Sequence, residues 1–168
     1  KLLNQVQDRV LRIVKHEILK PPILFKELYM NSGYKSSGWN NIILSKCSGH
    51  DSDIILNENT GEITLSQGKY MIKGYCNLAV SKYTQIQFGN NDDSIILYGN
   101  VSYNGTSGLI SSMILDEIIN IGQSMTFQLK VYLPSSNQGY SYAPTKLKNK
   151  QGKCHTTSLS INKIVKLC

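Results

Sequence analysis

The chain has little of what enzymes and membrane proteins are built from. None of its 168 residues falls in a G-x-S-x-G, H-E-x-x-H, phosphate-loop or dinucleotide-binding pattern. Its three histidines, His16, His50 and His155, are scattered, the first in a helix-like stretch and the others in separate polar stretches. No enzymatic activity is expected on these grounds. No run of about 18 apolar residues occurs, so membrane insertion is not expected either. Four cysteines are present, Cys47, Cys76, Cys154 and Cys168, with neither a C-x-x-C pair nor zinc-finger spacing. Cys76 falls on an apolar strand face and reads as a buried free thiol. Cys47 and Cys154 lie in polar, turn-rich stretches where a pairing stays open, and Cys168, being terminal, is placed to link chains. Phenylalanine and tryptophan are scarce as well, three and one against ten tyrosines.

What is there is tyrosine, asparagine, serine, glycine and positive charge. Tyrosine forms strands well and also serves at half-exposed binding surfaces. The net charge of +7 suits an acidic partner such as an anionic glycan, nucleic acid or an anionic surface. Part of it comes from one loop with Lys146, Lys148, Lys150 and Lys153. Those lysines lack interleaved arginines or aromatics and read as a solvated loop, so no nucleic-acid partner is expected. The chain opens in mid-pattern at Lys1 with no initiator Met or signal-peptide pattern, and is expected to be part of a longer protein.

The pattern of the chain is organised around Ile63 to Val80, a short strand, a turn at Gly68 and a long alternating strand. Tyr70, Ile72, Cys76, Leu78 and Val80 fall on one face, and Met71, Lys73, Tyr75 and Asn77 on the other. Such period-two alternation means a strand with one buried face. Residues 1–20 form the one convincing helical pattern, with Leu3, Val6, Val10 and Ile13 at coiled-coil seam spacing. Pro21 and Pro22 end it. Further strands are expected at Ile23–Tyr29, after Trp39, at Ile54–Leu56, around Thr84, Ile86 and Phe88, and at Ser94–Tyr103. Gly61 supplies a positive φ in the turn before Ile63. Leu109–Gly122 fits a helical stripe as well as a strand. Met125–Leu133 alternates cleanly, Met125, Phe127, Leu129, Val131 and Leu133 inward. The chain closes on a strand with Leu159, Ile161, Val165 and Leu167 on one face, interrupted by Lys163. The fold class is all-β, a sandwich, barrel or jelly roll.

Few residues suggest ligands. Asp51 and Asp53, beside His50 and with Asp92 and Asp93 in another turn, are the best candidates for calcium, which needs roughly six to eight oxygen ligands. Aspartates in turns more often serve backbone hydrogen bonds. Asn100 and Asn104 head two N-glycosylation sequons. Tyr140 and Tyr142, running into Lys146, Lys148 and Lys150, occupy the longest irregular stretch and are the candidate ligand-binding residues.

The stretch ITLSQGKYMIKGYCNLA resembles the I-T-L-P-A-G-x-Y-x-I strand pair of C1q/TNF-like jelly rolls, above all the form at the distal ends of phage tail fibres. SSMILDEIINIGQSMTFQLKVYL is similar to the hairpin G-x-F-x-I-x-x-x-x-T-F-x-L, and SLSINKIVKL to the closing strand V-x-I-x-K-L. Together with Trp39 and Thr84–Phe88 these span about residues 23 to 167, in order. The resemblance implies that Leu109–Ile119 is a strand and that the chain is a homotrimer. On it, residues 1–20 end a coiled-coil stalk and 21–168 form a jelly-roll head, with Leu3, Val6, Val10, Ile13, Tyr75 and Tyr132 at the trimer interface. The function it implies is the tip of a viral or phage fibre or spike that attaches to a host cell-surface glycan or protein receptor. A secreted, extracellular C1q/TNF-like signalling or adhesion ligand, and a structural virion component without a receptor, are the alternatives. No cofactor is implied.

Overall fold

The computed structural model describes residues 17–28, 37–79, 82–104, 110–134, 140–141 and 155–166. These form strands β1 (Glu17–Leu19), β2 (Ile23–Leu28), β3 (Gly38–Asn41), β4 (Ser45–Ser48), β5 (Ile54–Asn57), β6 (Glu62–Leu65), β7 (Gly68–Ala79), β8 (Lys82–Asn90), β9 (Ile96–Asn104), β10 (Ile110–Ile121), β11 (Met125–Leu133), β12 (Tyr140–Ser141) and β13 (His155–Lys166). No helix occurs among the described residues.

Two antiparallel sheets result. The first runs β10-β7-β13-β2-β4, with β1 added to β13 and β12 to β7; the second runs β5-β6-β11-β8-β9, with β3 added to β11. Alternation in the chain dictates which side chains lie between them. From β7 come Tyr70, Ile72, Cys76 and Leu78, from β8 Ile86 and Phe88, from β11 Phe127, Leu129, Val131 and Leu133, and all are buried. Phe88 and Phe127 stack at the centre, 5.1 Å apart and 9° from parallel. Burying each such side chain stabilises the sandwich by about 1.5–3 kcal/mol before the entropy of ordering is counted.

The ambiguous segment is a strand. β10 pairs with β7 over its whole length, from Ile110↔Ala79 to Ile121↔Gly68. Long-range pairing decides here, because a helix would leave the backbone groups of the outer edge of β7 without their partners. The expected helix over 1–20 needs correcting at its end. Glu17–Leu19 is strand β1, in register with Lys166–Ile164 of β13. Residues 1–16, including the rest of that pattern, lie outside the described residues. β1 and β2 follow the same edge of β13 one after the other, and Pro21 and Pro22, which lack backbone donors, stand in the gap between them. Asn162 Nδ2 fills the gap by donating to Lys20 O at 3.0 Å.

Candidate functional site

The first sheet's outer face is where apolar groups meet solvent. β7 points Met71, Lys73 and Tyr75 outward, and β10 sets Ile118, Asp116 and Ile114 directly across from them. Two apolar pairs therefore flank one ion pair, Lys73 Nζ–Asp116 Oδ2 at 3.5 Å. Ile114 and Ile118 are 57% and 52% exposed. On the other side of β7 the register places Ser158 and Ser160 of β13 beside Tyr75 and Lys73. Short hydroxyl side chains between taller neighbours make a groove of about 290 Å³, walled by Leu24 and Lys26 on one side and Tyr75 and Ile114 on the other. Tyr75 is held in place: Asn77 Nδ2 donates to its hydroxyl, and Ser112 Oγ donates to Asn77 Oδ1 at 2.6 Å.

The two sheets approach each other along the β9–β10 edge. A Cβ on Gly99 would stand 2.6 Å from Ile86 Cγ1 and 2.7 Å from Ile114 O, so only glycine fits there. Asn100 turns toward β10 and its Oδ1 accepts from Ile114 N. The first sequon thus sits beside the exposed Ile114 ridge.

Tyr132 does not share a surface with Tyr75. It lies on the second sheet's outer face, stacked on Tyr83 with centroids 5.8 Å apart, while Trp39 meets it edge-on at 5.5 Å. The Tyr83 hydroxyl, by hydrogen bond and then by charge, pushes the Tyr132 phenol above its ordinary range.

Asp51 and Asp53 are brought together, and the chain's own ammonium groups occupy them. Lys163 Nζ lies 2.5 Å from Asp53 Oδ2, and Lys20 Nζ 3.1 Å from Asp51 Oδ2. Burial raises the Asp51 carboxyl, but the backbone N–H of Asp53 and the Lys20 ammonium outweigh it and hold it below the usual range. Asp92 serves its own turn, accepting from Ser94 N and Asn90 Nδ2, and the Ser94 hydroxyl first, then the Ser94 backbone and Asn90, lower its carboxyl. Among the described residues no group of three or more His, Cys, Asp or Glu converges as a metal site would require. Tyr140 lies in β12, its backbone paired with Ala79. Tyr142, Lys146, Lys148, Lys150, Leu3, Val6, Val10 and Ile13 lie outside the described residues.

Cys76 is buried, with the Thr157 hydroxyl donating to its sulfur at 3.3 Å, and burial pushes its thiol up to about 12. A thiol so protonated is no nucleophile at neutral pH. Cys47 is exposed on β4.

Reading the sequence missed Ile114, Ile118 and the ring system around Trp39. A signal for the isoleucines was present. Met113 to Ile119 carries apolar residues at both parities, which in a strand means that both faces seek cover.

Solved structures of other proteins share this architecture. The chain is similar to murine APRIL in its crystal structure at pH 8.0, with a TM-score of 0.57 and 11% identity over 85% of this chain and 99% of that one. It is similar also to the globular domain of zebrafish complement 1qA, with a TM-score of 0.50 and 10% identity over 85% and 94% of the respective chains. No protein-family model and no curated protein sequence matches the chain. At such identities the likeness is one of fold, and the fold is a C1q/TNF-like jelly roll.

Proposed function

We propose that the chain is the head of a homotrimeric, extracellular attachment protein, a binding module and not an enzyme, whose three copies engage a cell-surface receptor together. One observation carries the reading. The outer face of the first sheet exposes Tyr75, Ile114 and Ile118 beside a groove, an arrangement that a chain working alone would leave in water. A neighbouring copy's side chains fill the groove, and the C1q/TNF-like fold supports three-fold closure. Weak binding by each head then adds up through avidity.

The place of Asn100 favours the tip of a viral or phage fibre over a secreted ligand. Its side chain is engaged with Ile114 N at the edge of the apolar face, where an attached glycan would crowd a second copy. Native material is expected to carry no glycan at Asn100, and a mass loss there on glycosidase treatment would move the reading to a secreted ligand.

Light scattering on the full chain tests the assembly. The expected molar mass is three times the 18.8 kDa of one chain, and Ile114→Asp is expected to give single chains with an unchanged far-ultraviolet β signal. A wild-type chain that stays single would overturn the proposal.

A further inference from the structure

The second sheet's outer face lies across the sandwich from Tyr75 and Ile114, so a copy packed on the first sheet leaves it open. Four aromatic side chains from four separate strands meet there. Tyr83 of β8 stacks on Tyr132 of β11, 8° from parallel, and Trp39 of β3 contacts both Tyr132 and, at 6.3 Å, Tyr98 of β9. Trp39 and Tyr98 are 40% and 52% exposed. Since β11 and β8 run between β3 and β9, the Trp39–Tyr98 contact passes over both strands.

Beside Tyr98 on the same face lies Gln87. Its register partners are Tyr98 on one side and Lys130 on the other, so it occupies an outward position, yet it is only 4% exposed. Its neighbours along the face are spoken for: Gln85 Nε2 donates to Gly99 O and Gln128 Nε2 to Thr60 O, both at 2.8 Å. The Gln87 amide makes no side-chain hydrogen bond among the described residues. A buried polar group left so costs about 1–3 kcal/mol, and it calls for a hydrogen-bonding partner.

We infer that this face is a platform for a neutral glycan, with pyranose C–H faces lying on the exposed Trp39, Tyr98 and Tyr83 rings and a sugar hydroxyl reaching the Gln87 amide as the Tyr98 ring swings aside. The inference deepens the attachment reading and rests on it for its biological setting. Charge agrees with the ligand. Among the outward positions of β3, β8 and β11, and those of β9 paired with β8, Lys130 is the single charged side chain and no carboxylate occurs. Glu62 of β6 is a carboxylate further along the same face, so a basic protein or peptide finds little counter-charge at the rings, and one lysine is too little for a polyanion. An extended row of rings on an open sheet face suits a chain of sugars more than a small molecule, which needs an enclosing pocket.

Trp39 is the chain's one tryptophan, so its fluorescence reports on this face directly. The full chain is titrated with chito-, manno-, galacto- and gluco-oligosaccharides and with heparin fragments. At least one neutral oligosaccharide is expected to shift the emission saturably, and Tyr83→Ala to weaken that binding about tenfold. Gln87→Leu is expected to weaken it several-fold while leaving the thermal midpoint equal or higher, since the variant removes an unpartnered buried amide. A merely structural glutamine would show the opposite.

Silence across the neutral panel, a response to heparin alone that salt abolishes, or an emission that follows protein concentration would each overturn the platform. Cell binding, measured in parallel, separates the two readings. Cells bound equally by wild type and Trp39→Ala would sink the glycan platform and leave attachment standing. Saturable sugar binding without any cell binding would do the reverse.

Discussion

Gly61 shows how tightly single residues are constrained. It takes φ 74°, and a Cβ there would meet Ile42 O at 2.7 Å. Both the backbone region and the space exclude a side chain, so Gly61→Ala is expected to cost about 1–3 kcal/mol, read as a lower urea midpoint at unchanged slope. That positive φ was legible in the turn sequence; the close approach of the β3–β4 connection was not. Lys163 is a second case. Among the residues of its strand it looks like a fault in an apolar face, yet its ammonium sits 5.7 Å from the centre of the Tyr70 ring and ends on Asp53, a long stem lying along the core edge with its charge paired. Burial, then the charges of Asp53 and Asp51, push the Tyr70 phenol up to about 12, and its hydroxyl donates to Ser66 O. The cysteines give a direct check. Alkylation of the native chain at neutral pH followed by mass spectrometry is expected to label Cys47 and to spare Cys76 until the chain unfolds.

Among the elements, β1 and the Lys20–Asp51–Asp53–Lys163 cluster secure the point where the chain joins the sandwich. Glu17 of β1 is held by Lys69 Nζ at 2.6 Å, and that hydrogen bond lowers its carboxyl. The pH dependence follows from Asp51. Its folded carboxyl lies below the ordinary 3.8, so the stability it adds is complete above that value and is lost as pH falls through the lower, folded one. Thermal midpoints are expected to drop in that acid window, and Asp51→Asn to flatten part of the drop while costing about 1 kcal/mol at neutral pH, Lys20 being well exposed. Millimolar calcium is expected to leave the neutral-pH midpoint where it is, because Lys20 and Lys163 already neutralise the two carboxylates.

For the molecule as a whole, the proposed assembly and the proposed glycan platform use different outer faces. The first sheet offers apolar pairs and a groove, which suit a second copy; the second offers exposed rings and few charges, which suit a hydroxyl-rich ligand. The assembly prediction and the sugar titration therefore separate cleanly. Ile114→Asp is expected to abolish trimers while each single chain keeps its Trp39 response to sugar. Loss of both together would mean that the faces are not independent.

Alternation at period two is a local steric property of extended chain, and it decided a great deal in advance. The inward sets of β7 as far as Leu78 and of β11, the buried Cys76, the turn at Gly61 and the all-β class could all be taken from neighbours in sequence, Val80 lying outside the described residues. β10 needed more, because Ile114 and Ile118 satisfy a helical spacing as well as a strand, and only twelve paired positions along β7 remove the ambiguity. The end of the N-terminal pattern went the other way, since a free edge on β13 recruits Glu17–Leu19 into a strand. Of the two surfaces, the first left a trace in the apolar residues at both parities of β10, while the second was beyond local reach. Trp39, Tyr83, Tyr98 and Tyr132 become neighbours because β3, β11, β8 and β9 lie side by side. Strand order is set by long-range pairing, which leaves no mark at short range along the chain, whereas burial of one face leaves its alternation.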